Sequence, residues 1–153
     1  MTGKVITETD TIRKILLSCR TIAVVGLSPK PNRDSHRVGR YLLEQGYTVI
    51  PVRPAQKEIL GCKACRALED LPGPVDIVNV FRRAEQVPAL VEQAVRLGPR
   101  LFWMQTGIEN RTAAELLNAA GIDVVMNRCI KQDHEAIFGR RLTPIFWDAP
   151  TKE

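Results

Sequence analysis

Thr21-Ile22-Ala23-Val24-Val25-Gly26-Leu27-Ser28-Pro29-Lys30-Pro31-Asn32-Arg33-Asp34-Ser35 is the stretch that decides the fold. Four apolar residues, Ile22 to Val25, run straight into Gly26. A short β-branched run of this kind reads as a strand buried on both faces. A proline-rich loop carrying Lys30 and Arg33 follows, and a helical pattern opens at Ser35. Strand, glycine turn, loop and helix form the phosphate-holding corner of a nucleotide-binding βαβ unit. Glycine allows the tight turn, and the helix N-terminus offers N–H groups to an anion. The usual G-x-G-x-x-G spacing is broken, because Ser28 and Pro31 stand where glycines belong. That departure points to an anion site of modified shape and away from a standard NAD site. The bland alternative is a glycine that merely ends a strand.

Outward from this corner, strands and helices alternate. A first helix is expected over residues 11–19, capped by Asp10, after a polar and loose segment 1–10. The first strand is 21–25. A helix over 35–45 carries Val38, Tyr41 and Leu42 on one face, and Gly46 closes it. The second strand is 47–52, and Pro51 and Pro54 disturb the pattern near its end. Residues 55–74 form a looser connection. The third strand is 76–81, followed by a helix over 84–97. Strand 100–104, helix 110–120 and strand 122–126 complete the pattern. The remainder reads as a short helix and a tail over 139–153. Five strands alternating with helices predict an α/β, Rossmann-like open parallel sheet with helices on both faces. The strand order expected is 3-2-1-4-5. The whole chain, 1–153, reads as one domain with its core over about residues 10–138.

Composition narrows the function classes. A length of 153 residues suits a single core. No apolar run approaches the roughly 18 residues of a membrane span, and the N-terminus lacks the blocks of a signal peptide. A cytoplasmic, membrane-free protein is expected. The net charge of +5 favours anionic partners. Aromatic residues make up only 5% and no basic run interleaves with them, which argues against a nucleic-acid stacking surface. Cys62-Lys63-Ala64-Cys65 is a C-x-x-C pair. Zinc needs four ligands and no second pair exists, so reduced thiols and no metal site are expected.

In such a sheet the ligand lies beyond the carboxyl ends of the strands, beside strand one. The residues there are Gly26, Leu27 and Ser28, then Arg53 and Pro54, then Phe81, Arg82 and Arg83, then Gln105, Thr106 and Gly107, then Asn127, Arg128 and Cys129. Lys30, Arg33 and Arg37 add cations at the loop and helix start. Arg53 is the informative one. An NAD site usually has an acid at the end of strand two. An arginine there favours a phosphate on the ribose, as in NADP or coenzyme A. Catalytic candidates are poor. His36 and His134 are lone histidines, and Glu109 and Asp133 have no evident partner.

Ile22 to Ser28 with Pro29 to Ser35, Gly46 to Pro54, Ile59-Leu60-Gly61, Val75 to Arg82, Trp103 to Ile108 and Val125 to Cys129 together resemble the small bacterial and archaeal CoA-binding proteins. These are stand-alone relatives of the CoA-binding domain of the succinyl-CoA synthetase alpha subunit. The resemblance covers about residues 10–138. It implies a Rossmann-like domain holding the ADP portion of CoA. The contacts it implies come from Gly26, Leu27 and Ser28, from the loop cations, from Arg53-Pro54 and from Phe81-Arg82. That family often has asparagine where Arg53 stands, and it says nothing of Cys62 and Cys65. The phosphohistidine domain of the synthetases has no counterpart here, so ligase activity is not expected to transfer. The leading expectation is a CoA-binding module without catalysis of its own, with a homo-oligomer or a ligase as its protein partner. The alternatives are an NADP-dependent oxidoreductase and an accessory subunit of an acyl-CoA ligase.

Overall fold

Residues 2–139 are described by a computed structural model. The chain runs α1 (Thr9–Ser18), β1 (Thr21–Val25), α2 (Asp34–Glu44), β2 (Thr48–Val52), β3 (Glu58–Ile59), β4 (Cys62–Lys63), β5 (Ile77–Val80), α3 (Pro88–Leu97), β6 (Leu101–Met104), α4 (Arg111–Ala119), β7 (Asp123–Val125) and α5 (Ile130–Phe138). The five long strands pair in parallel, and β3 and β4 make a separate antiparallel hairpin.

Alternation along the strands splits the core into two layers. Ile22, Val24, Ile77 and Trp103 face one side and pack with Ile12 and Leu16 of α1, Tyr41 and Leu42 of α2, and Ile130 of α5. Ala23, Val25, Val78, Val80 and Phe102 face the other, against Val91 and Ala94 of α3 and Ala114 and Leu117 of α4. The α/β class with helices on both faces is therefore as expected. No described helix is long and apolar enough to cross a membrane.

The expected strand order is corrected. The sheet runs β2-β1-β5-β6-β7, so the third long strand lies beside the first and the second forms the rim. In terms of the five strands read from sequence this is 2-1-3-4-5, not 3-2-1-4-5. Pro51 supplies the physical reason. Its carbonyl accepts from Cys65 N–H at 2.8 Å, so its nitrogen also points to the outer side of β2, where no proton is available for a ladder. A strand with such a gap suits an edge. The third strand, Ile77–Val80, is buried at every position and suits the interior.

Three local expectations also change. Residues 3–6 are not loose: Ile6 N–H donates to Val124 O at 2.8 Å and Val124 N–H to Lys4 O at 2.9 Å, which lays this segment along β7. Asp10 does not cap α1. The helix begins at Thr9 with Glu8 as N-cap, no side chain caps it, and Asp10 sits in its first turn. The helix expected over 84–97 divides at Pro88, which starts α3, with a 3-10 turn at Ala84–Gln86 before it. The tail expected over 139–153 lies outside the described residues beyond Gly139.

Candidate functional site

The strand order puts the topological switch between β1 and β5, where a crevice opens above the carboxyl ends. Gly26 stands at its centre. Its N–H donates to Val52 O at 2.9 Å, and Phe81 N–H donates to Val25 O at 2.9 Å, so the ends of β2 and β5 both close on β1. Gly26 has φ +84°, and a β-carbon there would lie 2.5 Å from Phe81 O. Glycine is required on both counts.

The loop after Gly26 is held by its own side chains. Ser28 N–H donates to Ser35 Oγ at 2.9 Å, and Lys30 N–H donates to Ser28 Oγ at 3.1 Å. Each hydroxyl accepts from the loop and keeps its own proton to give. His36 donates from Nδ1 to Ser28 O at 2.8 Å, because a carbonyl only accepts. This histidine is a brace for the loop. The other, His134, is buried beneath α2, with Nδ1 2.6 Å from the Tyr41 hydroxyl. Arg33 is the N-cap of α2 and no side chain caps the helix.

A cleft of about 920 Å³ opens in front of this turn. Lys30, Arg33, Arg53 and Arg83 line it, against one acid, Asp34. Uncapped helix N-terminus, two serine hydroxyls and four cations make an environment for a multiply charged anion. Two smaller clefts, each about 380 Å³, flank it. One is bounded by Gly26, Arg53, Pro54, Phe81 and Arg82. The other lies between the first turns of α2 and α5 and is floored by Gln105. Phe81 borders all three.

Most of the residues singled out from sequence come together here. Gly26, Ser28, Lys30, Arg33, Arg53 and Phe81 line the main cleft, and Pro54 and Arg82 the cleft beside it. Arg53 borders both, and its Nη1 donates weakly to Gly26 O at 3.4 Å. Leu27 is different. Its side chain is fully buried under α2, so only its backbone is near the crevice. Arg37 turns away from the main cleft, donating to Asn32 O at 2.9 Å and pairing with Asp34; it borders the Gln105 cleft. Gly107 lies outside all three, its N–H given to Asn127 Oδ1 at 2.7 Å.

Asn32 and Gln56 line the main cleft without having been placed in the site by sequence, and Arg83, expected beyond the third strand, lines it as well. Gln56 lay in a connection without pattern. Cys129, Lys131 and Gln132, at the start of α5, border the Gln105 cleft. The turn before them is braced by Arg128, which donates from Nε and Nη2 to Asp133 at 2.7 and 3.0 Å, and whose carbonyl accepts from Trp103 Nε1 at 2.7 Å. The hydrogen bonds to Asp133 push the Arg128 pKa further up.

Cys62 and Cys65 sit apart from the anion turn, on the hairpin side of β2. Cys62 lies in β4 and Cys65 bridges to Val52. Extended backbone over three steps separates their Cα atoms by roughly 10 Å, beyond the about 7 Å a disulfide spans. Burial and the neighbouring Glu58 push the Cys62 thiol pKa up. Among the described residues no group of three or more His, Cys, Asp or Glu is placed to hold a metal ion.

Residues 20–135 match the sequence profile described as CoA binding domain. The chain belongs to this CoA-binding family. An uncharacterised Bacillus subtilis protein, YneT, is 45% identical over 123 residues, covering 80% of this chain and 91% of that one. A solved structure from Thermus thermophilus superposes with a TM-score of 0.83 at 40% identity, covering 86% of this chain and all of the other. The alpha subunit of an ADP-forming acetate–CoA ligase from Pyrococcus furiosus is 39% identical over 62 residues, which is 40% of this chain and 14% of that subunit. The glycine turn and the cations of the main cleft lie within the matched residues.

Proposed function

We propose that this CoA-binding domain protein holds coenzyme A in the three joined clefts, with its pyrophosphate at the α2 N-terminus. The observation that carries this reading is the row itself: a cationic central cleft with a smaller cleft on either side and Phe81 as the common wall. An elongated ligand with a charged middle, a phosphate at one end and an uncharged arm at the other matches that order. The pyrophosphate lies against Ser28, Lys30, Arg33 and the first turn of α2. The adenosine lies toward Pro54 and Arg82, with Arg53 within reach of the ribose 3′-phosphate. The pantetheine arm passes Phe81 toward Gln105.

The protein acts as a carrier, sensor or subunit, without catalysis of its own. In support, His36 is committed to the Ser28 carbonyl and His134 lies in the core, away from the crevice. The surroundings are cytoplasmic in this reading. Titration calorimetry with CoA, dephospho-CoA, NADP and NAD tests it. CoA binding tightest of the four is expected. Tight NADP binding without CoA binding would replace this reading by the oxidoreductase one.

A further inference from the structure

An unspent polar group lies beneath the Gln105 cleft. Asn79 lies in the middle of the sheet on β5, between Val24 and Trp103, and is fully buried. Its Oδ1 accepts from Gln105 Nε2, while its own Nδ2 has no hydrogen-bond partner. A buried amide donor without a partner is costly and rare in native cores. Gln105 lies above it, 3% exposed, and forms the floor of the cleft. Its apolar walls are Val38, Phe81 and Cys129, and Asp34, Arg37 and Lys131 stand at its border.

Reversing both amides changes the balance. Asn79 Nδ2 then donates to Gln105 Oε1, and Gln105 Nε2 swings toward the cleft as a free donor. The cost is an under-used oxygen on Asn79, which interiors tolerate better than an unpaired N–H. This arrangement is favoured once the cleft holds an acceptor for Gln105. The donor is neutral, so the matching ligand group is a carbonyl; the two cations bordering this cleft, Arg37 and Lys131, are already paired with Asp34 and Glu135, and a phosphate is better served by the cations of the central cleft.

We infer that the Gln105 cleft is a subsite for the thioester carbonyl of a short-chain acyl-CoA, with Gln105 as the residue that reads the carbonyl and Asn79 as the residue that positions it. The inference rests on the CoA reading above. A volume of about 380 Å³ shared with the end of the pantetheine arm leaves room for a short acyl group between Val38 and Phe81. A long fatty chain would run out into water and gain nothing from the walls.

The test compares acetyl-CoA with S-ethyl-CoA, a thioether that keeps the two carbons and lacks the carbonyl oxygen. Calorimetry on the wild-type chain should show acetyl-CoA bound about three- to tenfold more tightly, as one neutral hydrogen bond provides. In Gln105→Leu the ratio should fall to about one. Nuclear magnetic resonance gives a second readout that needs no variant: the Gln105 side-chain amide should shift with acetyl-CoA and not with S-ethyl-CoA. Equal binding of the two compounds by wild type, with the amide unmoved, overturns the inference and leaves the CoA reading intact. If neither compound nor CoA binds, the CoA reading fails and this one with it.

Discussion

Gly26 and Phe81 meet so closely that a β-carbon on residue 26 would stand 2.5 Å from the Phe81 carbonyl oxygen. The contact joins the first and third long strands at the point where the sheet changes direction. It also fixes the floor of the central cleft, so crowding here disturbs fold and binding together.

Gly26→Ala is therefore expected to destabilise the protein, by about 1–3 kcal/mol from its backbone conformation alone, and by more from the contact with Phe81. Gly107→Ala is the control. Gly107 has φ +83°, nearly that of Gly26, but open space where a β-carbon would go. Urea unfolding of both variants separates strain from crowding. Equal losses would show that the contact with Phe81 relaxes freely.

Arg53 decides between ligands. It directly follows β2 and borders both the main cleft and the one beside Pro54. A hydrogen bond to a charged group contributes roughly 1.5–3 kcal/mol, so CoA should bind about ten- to a hundredfold more tightly than dephospho-CoA. Arg53→Ala should remove most of that ratio. Calorimetry at two salt concentrations checks it, since a solvated phosphate contact weakens with ionic strength. A ratio kept intact in Arg53→Ala would assign the 3′-phosphate to another cation.

Ser28→Leu tests the turn. The hydroxyl of Ser28 accepts from Lys30 N–H and its proton is left for the ligand, so the variant loses a loop bond and a donor and adds bulk in the cleft. CoA affinity should fall at least tenfold with the fold kept, as read by calorimetry beside circular dichroism. A folded Ser28→Leu that binds CoA normally moves the pyrophosphate elsewhere.

Cys62 and Cys65 should remain separate thiols under mild oxidation, because the chain between them is extended. Peptide mapping after diamide treatment is the measurement. Rapid formation of a 62–65 disulfide in the folded protein would contradict the hairpin geometry.

Cys19 sets a pH dependence. Burial, with the nearby Asp76, pushes its thiol pKa up to about 11, against about 8.5 in an unfolded chain. The unfolded state loses its proton first as pH rises. The stabilisation is thus fully present below about 8.5 and is lost as pH rises toward 11. Melting temperatures of wild type should fall more steeply than those of Cys19→Ala over pH 8.5–11. Parallel curves would show that the thiol is not protected.

Strand positions and the glycine turn after β1 were legible because their signals are local: a β-branched run, one glycine, a helix start. The strand order depends on which rim each strand faces, and Pro51 was the residue that carried it. Its missing N–H excludes a strand with partners on both sides, which the 3-2-1-4-5 order demands. Gln56 and Lys131 were not legible. Each reaches the clefts through a tertiary turn, and neither stands at a position that strand or helix periodicity marks. Residues 3–6 look loose by composition, yet Ile6 is buried once β7 offers its rim.

The two rims of the sheet bear on how this protein meets others. Backbone bonds from Cys65 occupy the outer side of β2 at Pro51 and Arg53, and those from residues 4–6 occupy the outer side of β7. A second chain has no vacant strand to extend at either place. Among the described residues, helix faces and the mouth of the crevice are then the surfaces left to a lasting partner that does not pair with these two rims. In the second case assembly and ligand exchange would compete for the same doorway.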